Sequence, residues 1–424
     1  MREMKDSGIE WLGEIPTAWK LSKIGALYTE RKVKVSDVDY PPLSVTMKGV
    51  VPQLATAAKT DAHDDRKLVK VGDFAINSRS DRRGSCGISA YDGSVSLINT
   101  ILTPRTIMNP QYYNWLFHST SFSDEFYSWG HGIVDDLWTT NWQDMKRIQI
   151  PTPPLFEQQA IADFLDRRCA EIDVVIQQTK ATIEEYKKLK QSIITEAVTN
   201  GIRGDRPMKD SGIEWIGEIP NEWKSIKLKY CTYIRARLGW KGLKAEEYVE
   251  DGYPLLSAFN IINSKLDFSE VNYINQLRYD ESPEIKLAMN DILLVKDGAG
   301  IGKCAIVEEL PIPSTPNGSL AVVTITNHLF PKFLYYYFLS KMFQKYIDRI
   351  KDGMGVPHLF QSDLRDIEIV ISEIEEQQEI VAYLDRKCAE IDTLIEKKTS
   401  LLEEMEALKK SIIFEYVTGK KEVC

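Results

Sequence analysis

Residues able to do chemistry are scattered along this chain, and few stand at a spacing that would let them work together. The segment DGAGIGKC (Asp297–Cys304) has the glycines and lysine of a phosphate-cradling loop, which would hold a nucleotide through backbone N–H groups and the ammonium. Three residues rather than four separate Gly298 from Gly302, however, and Cys304 stands where a Ser or Thr would hold magnesium. A turn between strands explains the segment better. NPQYY (Asn109–Tyr113) is close to the Asn-Pro-Pro-aromatic motif of amino-methyltransferases, but Gln111 interrupts it, and its proline suits the first turn of a helix. The five histidines, His63, His118, His131, His328 and His358, lack metal-ligand spacing, and the six cysteines include no CxxC pair. No glycine-rich fingerprint follows a strand in a βαβ unit. The sequence therefore argues against a self-sufficient enzyme, and no catalytic residue, cofactor or metal is expected in this chain.

What remains is a set of cations on glycine-bearing loops. NSRSDRRGS (Asn77–Ser85) carries Arg79, Arg82 and Arg83 beside Gly84. Guanidinium groups so placed can grip guanine edges bidentately or pin phosphates, which makes DNA the ligand to consider. Lys296 and Lys303 flank the glycines of the phosphate-loop look-alike, and RARLGWKGLK (Arg235–Lys244) sets Arg235, Arg237, Lys241 and Lys244 around Trp240, a pattern suited to clamping phosphate. His131 lies between Gly130 and Gly132, and a second glycine-bearing loop runs from Lys351 to His358. Glycine there permits close backbone approach, although Asp135 and Asp136 would repel phosphate. Each of these loops also has a plain reading as solvated surface. The formal net charge of −9 does not exclude DNA, because segments 154–206 and 372–424 carry −6 of it while the first 153 residues balance. Basic surface must be local.

The elements that would position these loops occur twice. The stretch Pro154 to Gly201, which begins PLFEQQAIADFLDRRCAEID, returns as Glu373 to Lys420, with 23 identities in 43 aligned positions from Glu157 and Glu376 onward. Apolar residues at mixed three- and four-residue steps (Ile172, Ile176, Ile183, Tyr186, Leu189, Ile193) mark a helix with one apolar stripe. Such a rod of roughly 65 Å cannot bury its stripe alone, and its own duplicate is the economical partner. The opening MKDSGIEWLGEIPTAWK (Met4–Lys20) also returns, as MKDSGIEWIGEIPNEWK (Met208–Lys224), so the whole chain is a tandem duplication. Its tryptophans, Trp11, Trp19, Trp215 and Trp223, read as anchors into each core.

Between opening and rod the halves diverge but keep a skeleton. Strand runs are expected at Leu68–Asn77, Ser94–Leu102, Asp291–Lys296 and Leu320–Ile325. Aromatic core helices are expected at Pro110–Phe122 and Pro331–Phe343, and short strands at Arg147–Pro151 and Asp366–Ile371. Thr152 reads as the N-cap of the first rod, Ser372 with Glu375 as a capping box for the second, and Gly201 and Gly419 as left-handed terminators. IRGDRP (Ile202–Pro207) is too short for a return connection, so the rods are expected to pair antiparallel. In full overlap Cys169 would face the region of Glu404, well short of Cys388, which forbids a disulfide and leaves both as packing residues. The resulting division is 1–153 and 204–372 for the globular domains, 154–203 and 373–424 for the helices. No apolar run has the length of a membrane span and the N-terminus lacks a signal-peptide core, so a cytoplasmic chain without a membrane partner is expected.

The GEIPxxW openings, the loop–strand–EQQ passage into each helix and the LDRRCAEID/LDRKCAEID cores resemble the specificity subunits of type I restriction–modification systems, over the entire chain. The resemblance implies an α+β fold: two pseudo-symmetric globular α/β target-recognition domains separated by an antiparallel coiled coil of two long helices. It implies partners as well: double-stranded DNA, two modification (methyltransferase) subunits, and restriction/translocase subunits. S-adenosylmethionine, ATP and Mg would reside on those partners, and the chain would be non-catalytic by itself. The loops holding His131 and Lys351–His358 correspond to one that reaches DNA in that family. Two alternatives stand beside this reading: a coiled-coil scaffold that never touches DNA, which leaves the divergent inserts unexplained, and a self-sufficient methyltransferase, which lacks a cofactor motif.

Overall fold

Neither long helix contains an internal Gly or Pro, and both form without a break, over Leu155–Asn200 and Ile374–Val417. The computed structural model describes residues 2–53, 63–132, 138–238, 243–298, 300–351 and 358–423, with side chains at 350 and 351 outside the description. The chain divides into two compact units, Met1–Lys180 with Thr399–Cys424, and Ala181–Lys398. The start of the first helix and the end of the second thus belong to unit 1, and the remaining parts to unit 2.

In unit 1 the opening forms a ribbon, Met4–Asp6 against Glu14–Pro16, that delivers Trp19 into the core. Lys20–Lys23 then pairs antiparallel with Gln149–Thr152, the strand that leads into the first long helix. Between these two strands lies the domain proper. Its central sheet is antiparallel, in the order Cys86–Ile88, Phe74–Asn77, Asn99–Pro104, Tyr28–Glu30. A smaller sheet (Gly93–Val95, Arg66–Val69, Lys34–Val35) and a hairpin (Leu43–Thr46 with Gly49–Pro52) complete it. The expected run over 68–77 is two strands, because Gly72 turns the chain at φ +86°.

Unit 2 repeats the plan. Lys224–Lys227 pairs with Glu368–Ile371, and the central sheet runs Cys304–Ile306, Ile292–Val295, Leu320–Ile325, Thr232–Ala236. In both units the aromatic helix expected as one element is two: Pro110–His118 and Thr120–Ser128, Pro331–Leu339 and Lys341–Lys351. The cause is the same serine. Ser119 and Ser340 leave the helical region, donate a hydroxyl back to Leu116 O (2.7 Å) and Tyr337 O (2.6 Å), and accept the amides of Phe122 and Phe343. Tyr112, Tyr113, Phe117 and Phe122 fill the core of unit 1, and Phe333, Tyr337, Phe338 and Phe343 that of unit 2, so the aromatic stripes are core.

The helix parts run antiparallel within each unit. In unit 1 Phe164 stacks near Tyr416 (centroids 4.2 Å), Asp173 meets Lys409 at 2.7 Å, and Lys180 meets Glu406 at 3.2 Å. In unit 2 Lys190 meets Asp392 at 2.6 Å and Arg203 meets Glu379 at 2.9 Å. The register differs from full overlap. Cys169 packs in one cluster with Ile412 and Ile413 rather than facing Glu404, and Cys388 packs with Ile194. Docking of the helix ends sets this register: Tyr112 Oη donates to Val417 O (2.8 Å), and Lys420 Nζ donates to Leu12 O (2.8 Å). Both cysteines are buried free thiols.

The helix starts correct two expectations. Thr152 lies in a strand and Ser372 donates to Glu373 O, so neither caps a helix. The shared EQQ instead fastens each helix start to its domain. Gln158 donates to Pro153 O (2.8 Å) and accepts Asn109 N (2.9 Å); Gln377 donates to Ser372 O (2.8 Å) and accepts Phe330 N (2.8 Å). Glu157 accepts Trp19 Nε1 (2.9 Å) and the guanidinium of Arg2; Glu376 accepts Trp223 Nε1 (3.0 Å) and Arg206 (2.7 Å). Gly419 ends its helix at φ +75° as expected, and a Cβ there would lie 2.5 Å from Pro16 Cδ.

Candidate nucleic-acid interface

In unit 1 the arginine loop leaves the central sheet between Phe74–Asn77 and Cys86–Ile88. Its base is closed by Asn77 N donating to Ser85 O (2.9 Å) and by Asn77 Oδ1 accepting Arg79 N (3.1 Å). A 3₁₀ turn at Ser80–Arg82 and Gly84 at φ +72° then direct the loop's side chains outward. The Arg82 side chain is 67% exposed, with Asp81 as its carboxylate neighbour at 3.5 Å. Arg83, 58% exposed, donates to Asp124 Oδ1 (3.0 Å) and lies 5.3 Å over the Tyr127 ring, so its guanidinium is oriented while facing solvent. Arg79 is more enclosed and sits 3.7 Å from Asp81.

His131 joins this loop. Its backbone exchanges hydrogen bonds with Thr139 (2.9 and 3.1 Å), and Arg79 bridges the same Thr139, so residues far apart in the chain form one edge. The exposed His131 ring is 3.6 Å from Asp144. Ser80, Asp81, Arg83, Asp124, Tyr127, Ser128 and Trp138 line a shallow cleft beside it. Asp135 and Asp136 lie outside the described residues.

Unit 2 treats its cations differently, and three expected contacts are corrected. Along Thr232–Ala236 the side chains of Tyr233, Arg235 and Arg237 fall on one face, which becomes covered toward its end. Arg235 is paired with buried Asp291 (3.1 Å) and donates to Thr324 Oγ1. Arg237 is buried and donates to Pro316 O, Ser282 Oγ and Thr315 Oγ1, each at 3.3 Å, and burial pulls its pKa below the usual guanidinium range. These two arginines bind the fold together rather than clamp phosphate. Lys296 is likewise buried, its ammonium on Asp297 Oδ2 at 2.6 Å.

Asp297 also holds the His358 ring through Nδ1 and bridges its backbone, and Leu359 N donates to Lys296 O (2.9 Å). The bridges Arg79–Thr139 and Asp297–His358 are the same knot in the two units, with Thr140 N on Ser78 O (3.0 Å) in one matching Leu359 N on Lys296 O in the other, so His358 stands where Thr139 does. The His358 ring stands 4.4 Å from Phe360. Lys303 is exposed, following Gly302 at φ +89°, and no carboxylate among the described residues pairs with it. Lys241 lies outside the described residues, and Lys351 ends its helix with its side chain outside the description. Unit 1 thus offers guanidinium groups at its edge, whereas unit 2 offers Lys303 and His358.

Among the described residues no group of three or more His, Cys, Asp and Glu could hold a metal ion, and no helix is long and apolar enough to cross a membrane. The family model described as the type I restriction modification DNA specificity domain matches residues 40–185 and 220–404. The MjaVIII type I restriction enzyme specificity subunit of Methanocaldococcus jannaschii is 29% identical, over 96% of this chain and 93% of that protein. The EcoBI specificity subunit of Escherichia coli is 26% identical, over 64% of this chain and 58% of its own length. Among solved structures, one reported for complex assembly and conformational transition of the type I R-M system superposes with a TM-score of 0.73 at 14% identity, covering 96% of this chain and 99% of that one. The HsdS subunit from Thermoanaerobacter tengcongensis gives 0.51 at 16% identity, over 96% and 98%. At such identities these two speak for the fold.

Proposed function

Because the chain belongs to the type I restriction–modification DNA specificity family, we propose that it is the sequence-reading subunit of such a complex, with each unit reading one half of a bipartite, asymmetric DNA site. The observation that carries this is the contrast inside the duplication. The frames are near copies, down to the Trp19–Glu157 and Trp223–Glu376 bonds, while the loops they hold up differ in chemistry. Two like supports with unlike reading edges suit two unlike half-sites.

In this reading Arg79, Arg82, Arg83 and His131 serve the first half-site, and Lys303 and His358 the second. The chain supplies recognition and no catalysis. Two modification subunits bring S-adenosylmethionine, and restriction/translocase subunits bring ATP and Mg, in the cytoplasm where the DNA is. The paired helices set the number of base pairs between half-sites.

A domain exchange tests it. Residues 20–152 run between the paired strands that frame the first domain and can be replaced as a block by the same block of another family member. With the modification subunits supplied, one half of the methylated sequence should change and the other half should stay. A change in both halves, or in neither, would overturn the assignment of one half-site to each unit.

A further inference from the structure

Each unit holds a large apolar side chain largely out in solvent, on a turn that adjoins the loops proposed to read DNA. In unit 2 it is Phe259, 90% exposed, in the 3₁₀ turn Ala258–Asn260. This turn is stiff. Asn260 is buried; its Oδ1 accepts Ser257 N (2.9 Å), its Nδ2 donates to Glu270 O (2.8 Å), and its carbonyl accepts Asp267 N (2.8 Å). The adjoining hairpin, Ile261–Ile262 with Lys265–Leu266, packs against Cys304–Ile306, the strand that Lys303 leads into. Asn317 N donates to Leu256 O (2.7 Å) and Lys296 N to Ser319 O (2.9 Å), so residues 317–319 join the Phe259 turn to the Lys296–His358 knot.

Unit 1 repeats the placement. Met47 is 71% exposed at the tip of the hairpin Leu43–Thr46/Gly49–Pro52. That hairpin lies against Cys86–Ile88, the strand leaving the arginine loop, so closely that a Cβ on Gly87 would sit 2.6 Å from the Cα of Gly49. Single exposed apolar side chains are ordinary on a protein surface; Phe259 is set apart because a hydrogen-bonded turn fixes it next to the loops proposed to read DNA.

We infer that Phe259 is a specificity-determining residue of unit 2, contacting a base of the second half-site, with Met47 as its counterpart in unit 1. Apolar side chains read the thymine methyl group in the major groove or wedge between base steps in the minor groove. Among the described residues of unit 2, Arg235, Arg237 and Lys296 are committed to the interior, which gives such an apolar contact more weight beside Lys303 and His358. The inference rests on the DNA-reading proposal.

The test uses the full chain assembled with its modification subunits, as wild type, Phe259→Ala and Phe259→Leu. Binding is measured at fixed salt to the cognate duplex, to duplexes substituted at each half-site position, and to random-sequence duplex. Phe259→Ala should lose on the order of 10-fold in cognate affinity, bind random duplex as wild type does, and lose preference at one or two adjacent positions of one half-site. Phe259→Leu should keep part of that preference. Wild-type preference at every position in Phe259→Ala, or an equal loss on cognate and random duplex, overturns the inference alone. A wild-type complex that prefers no sequence overturns the DNA-reading proposal and this inference with it.

Discussion

The arginine loop gives the sharpest quantitative expectation, through the double substitution Arg82→Ala with Arg83→Ala. The fold should hardly notice it. Arg82 is solvated, and the Arg83–Asp124 pair, exposed on both sides, contributes ~0–1 kcal/mol. The Arg83–Tyr127 contact adds roughly 0.5–1 kcal/mol. DNA binding should suffer more. Each lost phosphate contact lowers the slope of log affinity against log salt by about 0.9, so losing two lowers it by about 2 and weakens binding to every sequence. If either guanidinium also grips a guanine edge, ~1–3 kcal/mol of discrimination disappears at that base pair. Arg82→Lys with Arg83→Lys separates the two, since lysine keeps the charge but not the bidentate fork. Titrations of the assembled complex on cognate and random duplexes at several salt concentrations read all of these, with the unfolding midpoint as control. An unchanged slope and affinity in the alanine pair would remove this loop from the interface.

Three further outcomes are expected. Glu376→Ala leaves buried Trp223 Nε1 without its acceptor, while Arg206 keeps Glu222 at 2.8 Å, and should destabilise the chain by ~1–3 kcal/mol in denaturant unfolding, more than Glu157→Ala does at its more exposed site; no measurable cost would refute the clamp. Inserting four residues after Glu184 together with four after Lys398 keeps the Asp173–Lys409 and Lys190–Asp392 pairs in register and should lengthen the preferred gap without altering either half-site; a methylation footprint with the old gap would reject the ruler. Burial raises the thiol pKa of Cys169 to about 11 and of Cys231 to about 12, and raises those of Cys86, Cys304 and Cys388 as well. These five should therefore react with a thiol reagent at neutral pH only on unfolding, and rapid labelling of Cys169 or Cys388 in the native chain would contradict the packing role.

The duplication made the architecture legible, because two copies of one pattern are hard to misread. The long helices, their antiparallel sense, the aromatic cores and the Gly201 and Gly419 ends follow from periodicity and from the shortness of residues 202–207. Local competition was harder to read. Ser119 and Ser340 stand inside helical patterns, and only their hydroxyl bonds show that each ends one helix and starts the next. Helix register escaped for a different reason: the docking of Val417 and Lys420 on the first domain fixes it, and maximal overlap does not. Side-chain exposure was legible where charge sits on a loop closed at its base, as at Arg82 and Arg83. It was misread at Arg235, Arg237 and Lys296, whose partners Asp291, Thr315 and Asp297 are brought to them by tertiary structure. Phe259 escaped because an apolar residue near a strand looks like core until its turn is seen to face outward.

The central claim, that one chain reads two unlike half-sites, is tested most directly by mapping DNA methylation across the host genome with and without this gene. The account predicts that deletion abolishes methylation at a single asymmetric sequence made of two specified parts separated by a fixed unspecified gap. An unchanged methylation map, or loss of methylation at one unbroken motif, would contradict it.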